Sequence, residues 1–549
     1  MKPSAENPPK KIQPSKKKEQ PNVVPAAQIK GDVQDSNIVI GNNNIIDNST
    51  TTHNETNISN VIHTAKPWQF AGYTVLVILF IGLLALGINY FYLRYDRTIA
   101  SGKLNVLIIP FVEEKPWGYT NSSLGWSIAQ IFSDGMQESF ESTGIAADIK
   151  VLGPADKVPK IYAFSEAQLG QAAETISEKI NGQIVIYGVI KEDEYGDSIV
   201  QVKFYISPTN FGEAQELISD SMIGELSLGS FRLTGDTVNG ADLLAQNEEL
   251  RNRLEVFSSI INFLGAYIGE DFERAQEYIT LAGTPQLWSN TNGLEVLSLL
   301  NGNMEIRHVR VMMVNKDLEG TQHSLDAARH YFNKALDIST QNGNGDYVRA
   351  YLGLAGAESL AAIAEANIRG DVSLIDTNAL ERSQQYLNEA ESAAYQPATA
   401  DVSAKVNYSR AQIALAYLAK TGSAESQAEA EKYYNLVVEE YTQTDNARIA
   451  EFAALSYSGL GHIASLSGQA DSAIEQFLSA QKISSNPSLK VQCLVNVGDI
   501  HFANKEYDKA LKYYQDALLR KNELEKAISS ERIMEIEQRI KYIKDGESL

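Results

Sequence analysis

Ionisable and nucleophilic side chains are plentiful in this chain but rarely fall at the spacings that chemistry requires. No GxxxxGK[ST], HExxH or GxSxG motif is present, and no GxGxxG follows a strand, so phosphate cradling, zinc hydrolysis and acyl transfer lack their usual residues. Of the seven histidines, His308, His323 and His330 are the one local group. Their spacings of 15 and 7 do not set three ligands on one compact face, as a metal would need. The single cysteine, Cys493, excludes an intrachain disulfide framework, a Cys-type zinc site and a CxxC redox pair. Beside Leu494 it reads as core packing rather than as a nucleophile. Glu192, Asp193, Glu194 and Asp197 crowd one Gly-containing link; a solvated hairpin tip is the reading, with a weak cation site as the alternative. In a chain with 69 Asp+Glu against 47 Lys+Arg, neighbouring carboxylates carry little information. The expectation is no enzyme, no cofactor and no metal.

The elements around these residues must therefore carry the function. With 549 residues the chain has room for about three or four domains, and 44% apolar content supplies ordinary cores. A formal net charge of −22 argues against nucleic acid as a partner, since phosphate binding needs a surplus of Lys and Arg on one face. The charge is uneven. Residues 1–68 hold eight Lys/Arg and six acids, which leaves 39 against 63 for the remainder.

The change of charge coincides with an apolar stretch. Pro67 to Leu93 carries no charged residue, and 14 of the 24 residues from Phe70 to Leu93 are Leu, Ile, Val or Phe. As a helix this stretch reaches roughly 36 Å, enough for the ~30 Å hydrocarbon layer of a bilayer. Trp68 at one end and Tyr90, Tyr92 and Tyr95 at the other suit the interfaces. Residues 69–93 are predicted to be a single transmembrane helix, with the lipid bilayer as a partner. The side is ambiguous. The Lys-rich tail favours an inside N-terminus, whereas Arg94, Arg97 and Lys103 outnumber Lys66 at the immediate flanks. Residues 1–30, rich in Pro, Lys and Gln, read as a disordered basic tail. Residues 31–66 form an Asn-rich segment in which Ile38–Ile40 and Ile45–Ile46 flank GNNN, the pattern of a small β-hairpin.

Residues 101–235 read as an α/β layer. Leu104–Val112 is a continuous apolar run that predicts a buried strand. Leu124, Ile128, Ile131, Phe132, Met136 and Phe140 trace one face of a helix. Ile149–Leu152 is a short strand, and Ser165 can cap a second helix carrying Leu169, Ala172, Ala173, Ile176 and Ile180. Gln183–Ile190 and the alternating Ile199–Ile206 form two further strands joined by EDEYGDS. The opening LNVLIIPF, the helix SLGWSIAQIFSDGMQESF and the strand GQIVIYGVI resemble the N-terminal domain of the TolB periplasmic protein and its relatives. That resemblance implies a domain that binds proteins or senses envelope state rather than a catalyst, and it favours an extracytoplasmic side.

Residues 245–545 carry a repeat. One unit places Tyr457, Leu460, Gly461 and Ala464 ahead of Ala473, Phe477 and Ala480. The next places Leu494, Val497, Gly498 and His501 ahead of Ala510, Tyr514 and Ala517. These offsets resemble the tetratricopeptide (TPR) motif, in which small residues let paired helices approach and an aromatic fills the space between them. Looser copies of the second-helix triplet are Ala275/Ile279/Ala282, Ala328/Phe332/Ala335, Ser383/Leu387/Ala390 and Ala430/Tyr434/Val437. A charged final helix, Glu523–Lys544, suits the polar cap that a solenoid end needs. The fold expected is multi-domain: a transmembrane helix, a small TolB-like α/β domain, then an all-α TPR-like superhelical solenoid. The resemblance implies a non-catalytic, membrane-anchored scaffold that binds other proteins through the solenoid, a basic segment being favoured by the acidic array. The alternative is an envelope sensor whose α/β domain binds a small ligand. One tyrosine of each pair Tyr433–Tyr434 and Tyr513–Tyr514 is expected in the core, with its neighbour available to line a groove.

Overall fold

The computed structural model describes residues 104–145, 147–153, 166–207, 224–233, 240–268, 271–288, 291–342, 347–393, 400–444, 447–520, 524 and 530–545. The predicted basic tail, Asn-rich segment, membrane span and Ser165 cap lie outside the described residues. Among the described residues no helix is long and apolar enough to cross a membrane. The chain divides into Met1–Ser36 and Asn37–Leu549, and all described residues belong to the second unit.

A mixed sheet comes first. Strand β1 (Leu104–Ile108) is buried at every position and pairs in parallel with both β4 (Ala147–Val151) and β5 (Ile184–Glu192). The predicted strand Leu104–Val112 is in fact two. Pro110 has no amide to offer the ladder, the chain bends there, and β2 (Val112–Lys115) resumes farther along the same edge of β5. A turn at Trp117 then leads into β3 (Gly118–Asn121), antiparallel to β2. On the other edge of β5, β6 (Ser198–Ile206) pairs antiparallel over nine positions, and β7 (Gly224–Leu233) pairs with β6. The β2–β3 hairpin and β7 are additions to the predicted order.

Alternation along β5 assigns the two faces. Val185, Tyr187 and Val189 pack with Leu169, Ala173 and Ile176 of α2 (Glu166–Ile180). Ile184, Ile186 and Ile190 pack on the other face with α1 (Ser123–Thr143), through its Ile128, Phe132, Met136 and Phe140. Ser122 caps α1 by accepting from the Gly125 amide at 3.0 Å, and Gly144 ends it with φ of +70°.

That second face is shared. After the short α3 (Gly240–Gln246), helix α4 (Glu248–Ile268) lies beside α1 on the sheet. The Phe257 ring is 5.6 Å from Phe132 and 5.5 Å from Phe204, both edge-on, a geometry worth about 0.5–1.5 kcal/mol per pair beyond burial. Yet α4 is also the first helix of the α-helical array, pairing with α5 (Phe272–Ala282). One contiguous core therefore runs from Leu104 through Phe257 to Phe332 and Ala357. Two further contacts fasten the junction. Gly229 of β7 touches the backbone ahead of α6 (Leu294–Val314) so closely that an added Cβ would meet Asn292 at 2.6 Å. Arg349 donates from Nη2 to the Glu225 carbonyl at 2.8 Å.

The array continues as α6 with α7 (Leu318–Asn342), α8 (Tyr347–Arg369) with α9 (Thr377–Ala393), and α10 (Ala400–Thr421) with α11 (Ala424–Thr444). It ends with α12 (Ala447–Leu466) and α13 (Ala470–Ile483), α14 (Pro487–Ala503) and α15 (Tyr507–Leu518), and a single α16 (Ser530–Asp545). Six successive α-hairpins thus stand among the described residues.

The shared core makes the α/β layer depend on α4. Phe257→Ala is expected to cost about 3–5 kcal/mol. A fragment ending at residue 246 is expected to lose its near-ultraviolet circular dichroism and its cooperative melt, whereas one ending at residue 393 keeps both. Equal melts of the two fragments would show that the sheet does not need α4.

Candidate protein-interaction surface

The geometry of the array rests on the second helix of each hairpin. All six triplets foreseen there are buried: Ala275, Ile279 and Ala282; Ala328, Phe332 and Ala335; Ser383, Leu387 and Ala390; Ala430, Tyr434 and Val437; Ala473, Phe477 and Ala480; Ala510, Tyr514 and Ala517. Where the large central residue is aromatic, a glycine on a neighbouring helix receives it. A Cβ on Gly461 would lie 2.9 Å from the Phe477 ring, and one on Gly498 would lie 2.7 Å from Tyr514. Glycine here provides close approach, not an unusual backbone.

Three further glycines do the same and were not foreseen. Gly302 of α6 faces the Phe332 ring, where a Cβ would come within 2.5 Å, and Gly353 of α8 faces the same ring. Phe332 is thus held between the first helix of its own hairpin and that of the next. Gly459 of α12 packs against Tyr434 of the preceding hairpin. The missed signal was a glycine on the following first helix as well as on the partner. The lengthened early hairpins hid it, since Gly302 stands 30 residues before its aromatic and Gly461 only 16.

Buried and half-buried carboxylates fix the hairpins to one another. Glu358 on α8 accepts from Nε of Arg329 on α7 at 2.7 Å and from Nε of Arg382 on α9 at 2.8 Å. Glu451 on α12 accepts from Ser484 Oγ at 2.6 Å and from the Ser485 amide at 2.8 Å, closing the link between α13 and α14. At the C-terminal end Asp499 accepts from Tyr514 Oη at 2.7 Å and Arg539 Nη1 at 2.8 Å, and also from Arg532. These bonds pin α16, whose Ile533, Ile536 and Ile540 cover Val491, Leu494 and Ala517. Burial, then the Asp499 charge, pushes the Tyr514 phenol well above its usual range. Although burial opposes it, Arg532 and Arg539 hold the Glu535 carboxyl below its usual range.

Tyr434 and Tyr514 are buried, and their neighbours Tyr433 and Tyr513 are half-buried. Arg410 lies over the Tyr433 ring at 5.8 Å, and His501 stacks on Tyr513 at 5.5 Å. Both half-buried tyrosines therefore pack on the first helix of their own hairpin.

The residues first considered for chemistry are not gathered into a site. His308 meets Glu305 and Phe272 on one side of α6, while His330 meets Tyr331 on α7. Among the described residues no three His, Cys, Asp or Glu are grouped to hold a metal. Asp193 spends one carboxylate oxygen on the Tyr195 and Asp197 amides, both at 2.9 Å, which shapes the β5–β6 turn. Cys493 is buried on α14, and burial pushes its thiol up to about 12.

Residues 491–524, which take in α14 from Val491 onward and the whole of α15, match the tetratricopeptide repeat family. No curated protein matches the chain. Among solved structures, the crystal structure of BtubC (BKLC) from P. vanneervenii is 14% identical and aligns over 41% of this chain and 89% of its own, with a TM-score of 0.23. At that score a common shape is not established. The helical C-terminal part is thus TPR-like, with its clearest repeat at residues 491–524.

Two outcomes follow from the packing. Gly498→Ala gains roughly 1 kcal/mol of helix propensity, but crowding of Tyr514 is expected to outweigh it and lower stability by about 1–3 kcal/mol in denaturant melts. A gain in stability would empty the proposed slot. Cys493 is expected to react with a thiol reagent at neutral pH no faster than the protein unfolds, because the thiolate is the reactive form; fast labelling of native protein would contradict its place in the core.

Proposed function

We propose that this chain is a membrane-anchored, non-catalytic scaffold that binds partner proteins through its helical array. The single observation that carries the reading is the run of six stacked α-hairpins, each turning its small–large–small face inward. Such an array leaves long outer surfaces whose residues are not needed for folding, and solenoids use these to bind other polypeptides. The match of residues 491–524 to the tetratricopeptide repeat family supports the same use. With 69 acids against 47 bases, the chain favours a basic partner segment electrostatically.

Membrane attachment is proposed on the uncharged stretch within residues 69–93, where the apolar side chains outweigh Asn89 on an insertion scale of about −0.3 to −0.6 kcal/mol each. The resemblance of residues 101–235 to the TolB N-terminal domain supports an extracytoplasmic C-terminal part.

The test is affinity capture from detergent-solubilised membranes, with the full chain compared with a version ending at residue 446. This cut removes α12 to α16 and leaves the continuous core of Leu104 to Ala357 whole. Partners are expected to be lost from the shortened chain, and an identical captured set would exclude the last two hairpins as the binding element. Full-length protein is also expected to stay in the membrane pellet through carbonate washing; release into the supernatant would remove the anchor.

A further inference from the structure

The α/β layer carries an exposed feature that the array does not explain. Among the described residues two large aromatic side chains are left in solvent, Trp117 at 72% exposure and Tyr195 at 78%. They belong to different hairpins but to one end of the sheet. Strand β2 runs parallel to β5, with Val112 opposite Val189 and Glu113 opposite Ile190. The β2–β3 turn and the β5–β6 turn therefore emerge side by side, about 10 Å apart at two strand spacings. The chain enters the sheet at Leu104, and Val106 lies opposite Ile184, the first residue of β5. The two tips thus project from the end opposite the chain's entry.

The tips are held in place. Lys191 of β5 pairs with Glu114 of β2 at 3.7 Å, tying one hairpin to the other. Arg232 of β7 pairs with Asp193 at 2.8 Å and Asp197 at 3.1 Å. Asp193 accepts from the Tyr195 amide, and Gly196 takes the left-handed φ of +88° that closes the turn. A large aromatic on such a pre-shaped turn loses little freedom on binding, which is why Trp and Tyr dominate interface hot spots.

The charge around the rings selects the partner. Glu113, Glu114, Glu192, Asp193, Glu194 and Asp197 surround them, and the cations nearby are already engaged: Lys115 with Glu113 at 3.0 Å, Lys191 with Glu114, and Arg232 with the two aspartates. Glu192 and Glu194 are exposed and have no ion pair among the described residues. An anionic lipid surface would be repelled by this rim, whereas an Arg or Lys side chain would find both a ring face and a carboxylate.

We propose that the adjacent β2–β3 and β5–β6 tips form a second docking surface, on which Trp117 and Tyr195 receive a basic segment of a partner protein. This surface is separate from the helical array, so its failure would leave the scaffold reading standing. The probe is a short labelled peptide of alternating Arg and Ser, titrated by anisotropy at low salt into the full chain in detergent. The comparisons are Trp117→Ser/Tyr195→Ser and Glu192→Gln/Glu194→Gln, all at exposed positions, so that thermal melts stay unchanged. Each double variant is expected to weaken binding on the order of ten-fold or more, as truncation of an interface hot spot does. Unchanged affinity in the aromatic variant would overturn the proposal by placing the peptide elsewhere. Equal binding of a Glu-Ser peptide, or binding of phosphatidylglycerol vesicles through the same two aromatics, would overturn it as well.

Discussion

Four of the six hairpins rest on one kind of contact, an aromatic ring seated against a glycine on a neighbouring helix. Phe332 fills the space between Gly302 and Gly353, Tyr434 meets Gly459, Phe477 meets Gly461 and Tyr514 meets Gly498. Absence of a Cβ lets the helix axes come close enough for ring and backbone to touch, and the ring in turn leaves no void, which a core at native density requires. Glycine in a helix costs about 1 kcal/mol against alanine. The burial of a Phe or Tyr, on the order of 1.5–3 kcal/mol, outweighs that. The same arrangement explains why first and second helices differ. Helices such as α14 are buried on almost every side, from Val491 to Gly498, whereas α15 buries only Ala510, Tyr514 and Ala517.

A stack of hairpins has two open ends, and each would expose apolar surface unless covered. This chain uses two different covers. At the start, α4 turns one side to α5 and another to the sheet, so that Phe257 meets Phe132 and Phe204 where another hairpin would otherwise be needed. At the finish, α16 lays Ile533, Ile536 and Ile540 on the last hairpin, and the Asp499, Arg532 and Arg539 network sets its register. The α/β layer is therefore part of the array's own structure. A disturbance of α4 must be felt in both the sheet and the first hairpin.

Much of this architecture was legible in the residues, for a physical reason. Small–large–small triplets on second helices announce themselves because their spacing is set by one helix. Ile199–Ile206 alternates because β6 keeps one register. What was missed breaks those periods. In β7, Leu226 and Leu228 face inward at even positions and Phe231 and Leu233 at odd ones, because a bulge near Gly229 resets the pleat opposite Gln201–Lys203. The β2–β3 hairpin, VEEK and GYTN, is mostly polar, and it sits at a sheet edge where apolar alternation is not required. The choice of Glu358, Glu451 and Asp499 as structural carboxylates could not be read from 69 acids, because only the fold decides which ones are enclosed.

The burial that builds the array also holds several of its ionisable side chains neutral. Burial pushes the Cys493 thiol up to about 12 and the Tyr434 phenol well above its usual range, and it lowers His462, edge-on to Phe477, to about 4. Each is thereby held neutral at physiological pH, the state that costs least to enclose. Glu358, a charged side chain enclosed in the array, is matched by Arg329 and Arg382. Exposed carboxylates have no such constraint, and they accumulate on the outside until the chain carries a net −22. Packing therefore takes mainly neutral and paired groups, and what is left on the outside is mainly negative charge, joined at the sheet's far end by two uncovered aromatic rings.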